Sequence, residues 1–436
     1  MLCLFSMMLA LLLQSCYTEA FILSNPTSHI HIYHHPLTLA SSLSETENNA
    51  QVTNDDNNDN DNMMNDVVSY YGDISVESYE HKTFKKLTYL YKKASPGREG
   101  DRPIILIHPV GIGLSSWFWK KVMMMQMQSF TTNSEEDECN NDYTNRTNNS
   151  SNNSNGNPPI YAPDLIGCGI DHGGDAWNPN ENGLFFPLGW VEGVETLMND
   201  VIIPRWYEEQ NNGKKKSASS LSSSPLSRFF GVRQNNQNND ATSSDDDGAG
   251  CLVIAQGGLA SVGIMLAHRN PLHVRNLMLT SPPTYDEITT PIPQSELRTN
   301  YDFLRSPVLG KLAFSLLENR SIIQFFSNLF LFDDDCDEEW LDETERESRY
   351  AEARTPVQVF NAGLLQHRSL EGELKELVRS TSVVVVSGEG DKRVLDRQLY
   401  RDELGKKCTL TSIGGCNVLP WENADGVVEL IKKLGY

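Results

Sequence analysis

Apolar residues along this chain fall into short unbroken runs separated by stretches with helical spacing. Pro103-Ile-Ile-Leu-Ile-His108 and Pro159-Ile-Tyr-Ala-Pro-Asp164 are continuous, which predicts strands buried on both faces, as in a parallel sheet. Cys251–Gln256, Val274–Thr280, Val383–Val386 and Thr409–Ile413 read the same way. Thr83–Lys93 alternates loosely between apolar and polar and predicts an exposed edge strand. Trp190–Glu209 carries Val194, Leu197, Val201 and Ile202 at helical spacing. Further helices are predicted from Leu259 to His268 and, closing the chain, from Glu422 to Leu434. Strands alternating with helices predict an α/β fold with a mostly parallel central sheet flanked by helices. About a hundred helical residues, including Val308–Leu317, Ile322–Phe332 and Trp340–Arg354, intervene before the strand at Ser382. They predict a helical cap inserted after the sixth strand, at about 283–380, in which Phe325, Phe326, Leu329, Phe330 and Leu331 form an apolar face.

Polar tracts interrupt this pattern. Residues 45–66 are rich in Asn, Asp and Glu, and the stretches 131–158 and 211–249 combine Asn, Ser, Lys214-Lys215-Lys216 and Asp245-Asp246-Asp247. Such segments bury too little apolar surface to offset the entropy of ordering them, so 131–158 and 211–249 are expected to be disordered inserts. Without them and the leader, roughly 280 residues remain, the size of one α/β domain, expected over 67–436. Leu2–Leu13 is too short an apolar run to span a bilayer, and with Thr18-Glu19-Ala20 it reads as a signal peptide over 1–20. Phe21–Leu43 then contains Ser and Thr but no acid. A cut before Phe21 followed by such a stretch resembles the two-part plastid-targeting leaders of algae with secondary plastids. Residues 21–66 are therefore expected to be a transit peptide and acidic linker, and the chain plastid-located, with the secretory pathway as the alternative. No integral span is expected in the mature chain.

Charge narrows the partners. The sequence has 36 Lys and Arg against 58 Asp and Glu, a net −22. Outside the short lysine run nothing forms a basic stripe, which argues against nucleic acid. The eight cysteines include no C-x-x-C pair and no close histidine spacing, so no metal site is expected. No phosphate-binding glycine pattern occurs, and no cofactor is expected.

Four segments carry candidate chemistry. Cys251–Gln256 runs into Gly257-Gly258-Leu259, a strand entering a small-residue turn that opens a helix. His108-Pro-Val-Gly-Ile-Gly113, Ala162-Pro-Asp-Leu-Ile-Gly-Cys-Gly169 and Gly388-Glu-Gly-Asp391 stand at strand ends. In this order the four segments resemble the α/β-hydrolase superfamily from about residue 79 onward. The likeness extends to a plant and algal subgroup marked by His108-Pro-Val-Gly and the Gly-Asp-Ala-Trp run at 174–177.

The resemblance implies a catalytic triad, and this chain departs from it at two positions. Gly257 stands where the nucleophile is expected. Aligning Pro420 and Glu422 with the family's G-H-x-P-x-x-E places Val418 at the histidine position. Asp391 keeps the acid position. An acid alone orients nothing, so triad chemistry is expected to be lost. Backbone N–H groups of Val110 and Gly258 still offer an oxyanion site. Ser261, Cys416 and His108 are weighed as substitute nucleophiles or base. Their alternatives are a helix-face serine, a small buried hydrophobe and a loop-holding histidine. Asp391 is weighed equally as a structural carboxylate. His108, Trp117, Asp171, His172 and Trp421 are candidate ligand-binding residues at the carboxyl end of the sheet. Trp117 and Trp421 read equally well as residues that pack the cap. The expectation is a non-hydrolytic protein binding a hydrophobic small molecule or a protein partner. The alternatives are a non-canonical enzyme acting on an ester, lipid or pigment-like substrate, and a scaffold without a pocket.

Overall fold

The computed structural model describes residues 72–125, 156–169, 183–221, 250–350 and 354–436. The leader, the linker and most of both inserts lie outside the described residues. One eight-stranded sheet organises the domain, in the order β1-β2-β4-β3-β5-β6-β7-β8. Its strands are β1 Ile74–His81, β2 Lys85–Lys92, β3 Ile104–Ile107, β4 Ile160–Pro163, β5 Cys251–Gln256, β6 Val274–Thr280, β7 Ser382–Gly388 and β8 Cys408–Ile413. Pairing is antiparallel between β1 and β2 and between β2 and β4, and parallel from β4 onward. The continuous apolar runs are the central strands, with β3 and β5 buried at every residue.

The Thr83–Lys93 expectation is corrected. That strand, β2, lies second in the sheet, and β1 is the edge. Its loose alternation arises because amphipathic side chains are buried there. Lys92 reaches the Met123 carbonyl at 2.6 Å, and Arg205 lies 4.5 Å above the Tyr91 ring.

Trp190–Glu209 folds as helix Leu188–Leu197, a π-helical turn over Met198–Ile202 and helix Ile203–Leu221. Pro204 has no N–H to donate within this run, and the ladder widens just before it. The helix continues past residue 211, into the stretch read as an insert. Helix Ala260–Arg269 packs against Leu188–Leu197 and Glu371–Leu377, and helix Ala424–Lys433 against Lys120–Met124. Between β6 and β7 lie the cap helices Tyr285–Thr289, Gln294–Leu304, Leu309–Leu317, Arg320–Phe326, Glu338–Ser348, Arg354–Asn361 and Glu371–Leu377. Among the described residues no helix is long and apolar enough to cross a membrane.

Candidate functional site

The site is set by the joint after β5. Gly257 sits at φ +60, and a short 3-10 turn over Gly257–Leu259 leads into helix Ala260–Arg269. That left-handed backbone costs an L side chain roughly 1–2 kcal/mol and costs glycine nothing comparable. Small residues also let the helix press onto the strand, since a Cβ on Gly263 would lie 2.7 Å from the Ala255 Cβ. Above Gly257 the space is open, and a Cβ there would meet no atom within 4 Å. Gly258 differs, because a Cβ there would collide with the ring of Phe360 on cap helix Arg354–Asn361. The joint is therefore a tight strand-to-helix turn with no side chain at its apex.

His108 is fully buried between the loops after β3 and β4. Its Nε2 accepts the Leu165 N–H at 3.1 Å, so Nδ1 carries the hydrogen and donates to the Pro109 carbonyl at 2.7 Å. Burial lowers its pKa to about 4, which keeps the ring neutral. With both nitrogens engaged, His108 holds the loop in place and has no lone pair left for a substrate proton. Asp164 reinforces the same junction, accepting the Ser116 N–H at 2.9 Å and the Thr88 hydroxyl at 2.8 Å. Val110 is half-buried against the core, and Gly258 lies in the first turn of its helix, where backbone N–H groups lack intrahelical partners.

The acid position tells a different story. Asp391 Oδ2 accepts from Arg397 Nη1 at 2.6 Å, and Oδ1 accepts the Arg393 N–H at 2.9 Å. Arg397 is only 1% exposed and also donates to the Pro282 carbonyl at 2.6 Å and to Ser387 Oγ at 3.3 Å. Burial alone would raise the Asp391 pKa, but Arg397 and Arg393 outweigh it and hold the carboxyl below its ordinary range. Both oxygens are thus committed to arginine. Sequence reasoning missed Arg393 and Arg397, whose signal was a pair of arginines two and six residues after the acid.

Val418 is buried, and its N–H donates to the Leu331 carbonyl at 3.3 Å. Its neighbour Asn417 is held by the Leu331 carbonyl at 2.9 Å, the Phe330 carbonyl at 2.6 Å and Arg393 at 3.2 Å. Gln256, last residue of β5, donates from Nε2 to the Asn417 carbonyl at 2.5 Å, bridging the joint to the histidine-position loop. Glu422 completes that junction, accepting the N–H groups of Asp333 at 2.8 Å and Cys416 at 2.9 Å. Among the described residues Cys168, Cys251, Cys336, Cys408 and Cys416 are free thiols. Burial, then Asp391 and Glu422, push the Cys416 thiol up to about 11, away from thiolate chemistry. Ser261 is buried within its helix. Ser281, at φ +43 after β6, spends its hydroxyl on the Cys416 carbonyl at 3.2 Å.

The cap is clamped on the loops beside the site. Gly113, at φ +63, lies beneath the Thr344 carbonyl and the Ser348 N–H of helix Glu338–Ser348, leaving no room for a Cβ. Lys120 pairs with Glu339 and with Glu343 at 3.3 Å. On the same helix, Glu347 Oε2 is buried without a hydrogen-bond partner, and burial raises that carboxyl to about 7 against the opposing pull of Arg346. The Trp117 and Trp421 rings meet edge-to-face at 5.2 Å, and both contact Trp340 of the cap, at 5.5 and 5.6 Å. Trp117 Nε1 donates to the Gly113 carbonyl at 2.9 Å, and Trp421 Nε1 to Asp337 at 3.1 Å. Of the two readings of these tryptophans, the geometry is that of packing the cap. Asp171, His172 and the 174–177 run lie outside the described residues. Among the described residues no group of His, Cys, Asp or Glu is arranged to hold a metal ion.

No protein-family model matches the chain. No curated protein matches it either. Solved structures do. Haloalkane dehalogenase DbeA from Bradyrhizobium elkani USDA94 is 14% identical, with a TM-score of 0.48, over 83% of this chain and 99% of that one. The epoxide hydrolase CorEH is 15% identical at a TM-score of 0.47, over 83% and 98%. The serine hydrolase CCSP0084 from a polyaromatic-hydrocarbon-degrading Cycloclasticus is 12% identical at 0.47, over 82% and 96%. The sequence motifs stand after β3, β4, β5 and β7 in the order expected of them, and the cap follows β6. The chain has the α/β-hydrolase fold.

Proposed function

We propose that this protein binds a small apolar molecule without hydrolysing it. The observation that carries this reading is the Asp391 carboxylate, whose two oxygens are committed to Arg397 and the Arg393 backbone, with Val418 in place of a base. Acyl transfer needs a nucleophile, a base that takes its proton and an acid that orients the base. Here the nucleophile position is a glycine, the base position is a buried valine and the acid is a structural ion pair. What the fold retains is the open space above Gly257, with the Phe360 ring against the neighbouring Gly258. The Val110 and Gly258 N–H groups would bind an oxygen of the ligand, a carbonyl or carboxylate, as hydrogen-bond donors. The rest of the ligand would be apolar, since glycine and valine replace the two polar residues of the triad.

The leader reading belongs to the same proposal. A signal peptide followed by a Phe21-initiated transit peptide would deliver the domain to a plastid, the secretory pathway being the alternative. A fluorescent fusion of the full chain tests the address.

Denaturing extraction and mass spectrometry of protein purified from its native source test the binding reading. An apolar molecule with an oxygen function is expected at near-stoichiometric amount, and a Gly257→Leu variant, whose side chain enters the open space, should lose it. Equal recovery from both proteins, or recovery of a cleaved product with turnover, would overturn the reading.

A further inference from the structure

Cap segment Arg320–Leu331 has two apolar faces, and only one of them is used by the fold. Inward, Ile323 is buried, and Ser327 Oγ accepts from Trp340 Nε1 at 2.9 Å. Outward, Ile322, Phe325, Phe326, Leu329 and Phe330 recur at i, i+3, i+4, i+7 and i+8, the spacing of a helix stripe meant for burial. Phe325 and Leu329 are each 53% exposed. The Phe325 and Phe326 rings lie 5.5 Å apart, and Phe326 stacks on Phe330 at 5.9 Å, so the stripe is one connected surface. Isolated exposed hydrophobics need no explanation, whereas a connected aromatic stripe marks an interaction site.

The charge around the stripe selects the occupant. Asp333, Asp334 and Asp335 follow Phe332 directly and are exposed. Arg320, at the other end, is already shared among Glu338 at 2.5 Å, Asp342 at 2.7 Å and Glu345 at 3.2 Å. Lys311 on the preceding helix is the exposed cation nearby in sequence. An anionic bilayer would be repelled by this rim. A second copy of the chain, itself at net −22, would set one aspartate run against another in a two-fold contact.

We propose that the outward face of Ile322–Phe330, with its aspartate rim, is a docking surface for a cationic amphipathic helix of a partner protein. Apolar anchors at i, i+3 or i+4 and i+7 would cover the aromatic stripe, and lysines or arginines on the flank would meet Asp333 and Asp334. The side chains of this surface lie outside the joint after β5, and only its backbone, at the Phe330 carbonyl and the Asp333 N–H, bonds the loop that carries Val418.

The test uses the full chain and a fluorescein-labelled amphipathic peptide of leucine and lysine, about four helical turns long, with a leucine–glutamate counterpart. Anisotropy titrations are run on wild type, Phe325→Ser/Leu329→Ser, Asp333→Asn/Asp334→Asn, and the distant pair Glu371→Gln/Glu403→Gln. The proposal expects each of the first two double variants to weaken the leucine–lysine peptide by about tenfold or more, as removal of central anchors does. The distant pair and the glutamate peptide set the background. The expected result includes an unchanged urea midpoint for every variant. The proposal is overturned if the distant pair weakens binding as much as the rim pair, since that would be bulk charge. It is also overturned if the stripe variant binds like wild type. Loss of a concentration-dependent dimer on Phe325→Ser/Leu329→Ser would identify a second copy as the occupant instead. Loss of flotation with phosphatidylcholine vesicles would identify lipid.

Discussion

The joint after β5 and the loop after β7 differ in what each holds, one a bare backbone turn and the other a side chain bound by arginine. At the joint there is a left-handed turn and no side chain. Gly257 keeps a left-handed conformation beneath open space. At the loop after β7 there is a buried carboxylate with its partners in place. Asp391 is bonded to the Arg397 guanidinium and to the Arg393 N–H. The difference shows what the fold needs for itself. The tight turn is demanded by a helix pressed onto its strand, with or without chemistry. A buried carboxylate needs a partner to remain charged, and here Arg397 serves.

That contrast makes Asp391 the more consequential residue for stability. Asp391→Ala would leave the Arg397 guanidinium, 1% exposed, buried and uncompensated. A loss of roughly 3–5 kcal/mol is expected in urea denaturation. A loss under 1 kcal/mol would break the comparison, because Asp391 would then be expendable to the fold.

Two buried carboxyls should also respond oppositely to pH. Asp391 is held below its ordinary pKa, so its contribution is present above that range and lost as pH falls through the folded value. Glu347 is raised to about 7, so the folded state favours its neutral form. Its contribution is full below the unfolded value and lost as pH rises toward 7, by about 3 kcal/mol. Glu347→Gln should flatten the decline between about pH 4.5 and 7 and leave the acid limb unchanged, read from urea midpoints across pH. A decline that persists in Glu347→Gln would assign it to another group.

Smaller effects separate the two glycines of the joint. Gly258→Ala must displace the Phe360 ring and should cost about 1–3 kcal/mol. Gly257→Ser meets no atom and should cost about 1–2 kcal/mol, from backbone conformation alone. It should also remain inactive on esters, since Val418 supplies no base. Thermal melts of both variants check the order, and a larger cost at Gly257 would mean that the open space is filled.

Much of the sheet was legible because buried parallel strands print unbroken apolar runs, as at Ile104–Ile107 and Val383–Val386. Strand β1 was not, since Ile74–His81 mixes Glu, Ser and His, and its burial depends on pairing with β2. Glycine at 257 and valine at 418 were readable directly, and the expectation of a lost triad rests on those two positions. The commitment of Asp391 was not, because Arg397 reaches it only through a turn that also brings Pro282 and Ser387 alongside. Gln256, Glu347 and Phe360 were missed for the same reason. Gln256 and Phe360 acquire their roles from contacts more than ninety residues distant, with the loop after β8 and with Gly258, and Glu347 acquires its role from burial in the fold.

The central claim is that the fold is kept without triad hydrolysis. Steady-state release of nitrophenolate from 4-nitrophenyl butyrate and octanoate, by wild type beside the milder Asp391→Asn variant, tests it most directly. The account predicts no saturable release above the buffer rate from either protein. Saturable turnover by wild type that Asp391→Asn removes, while the variant remains folded by circular dichroism, would contradict it.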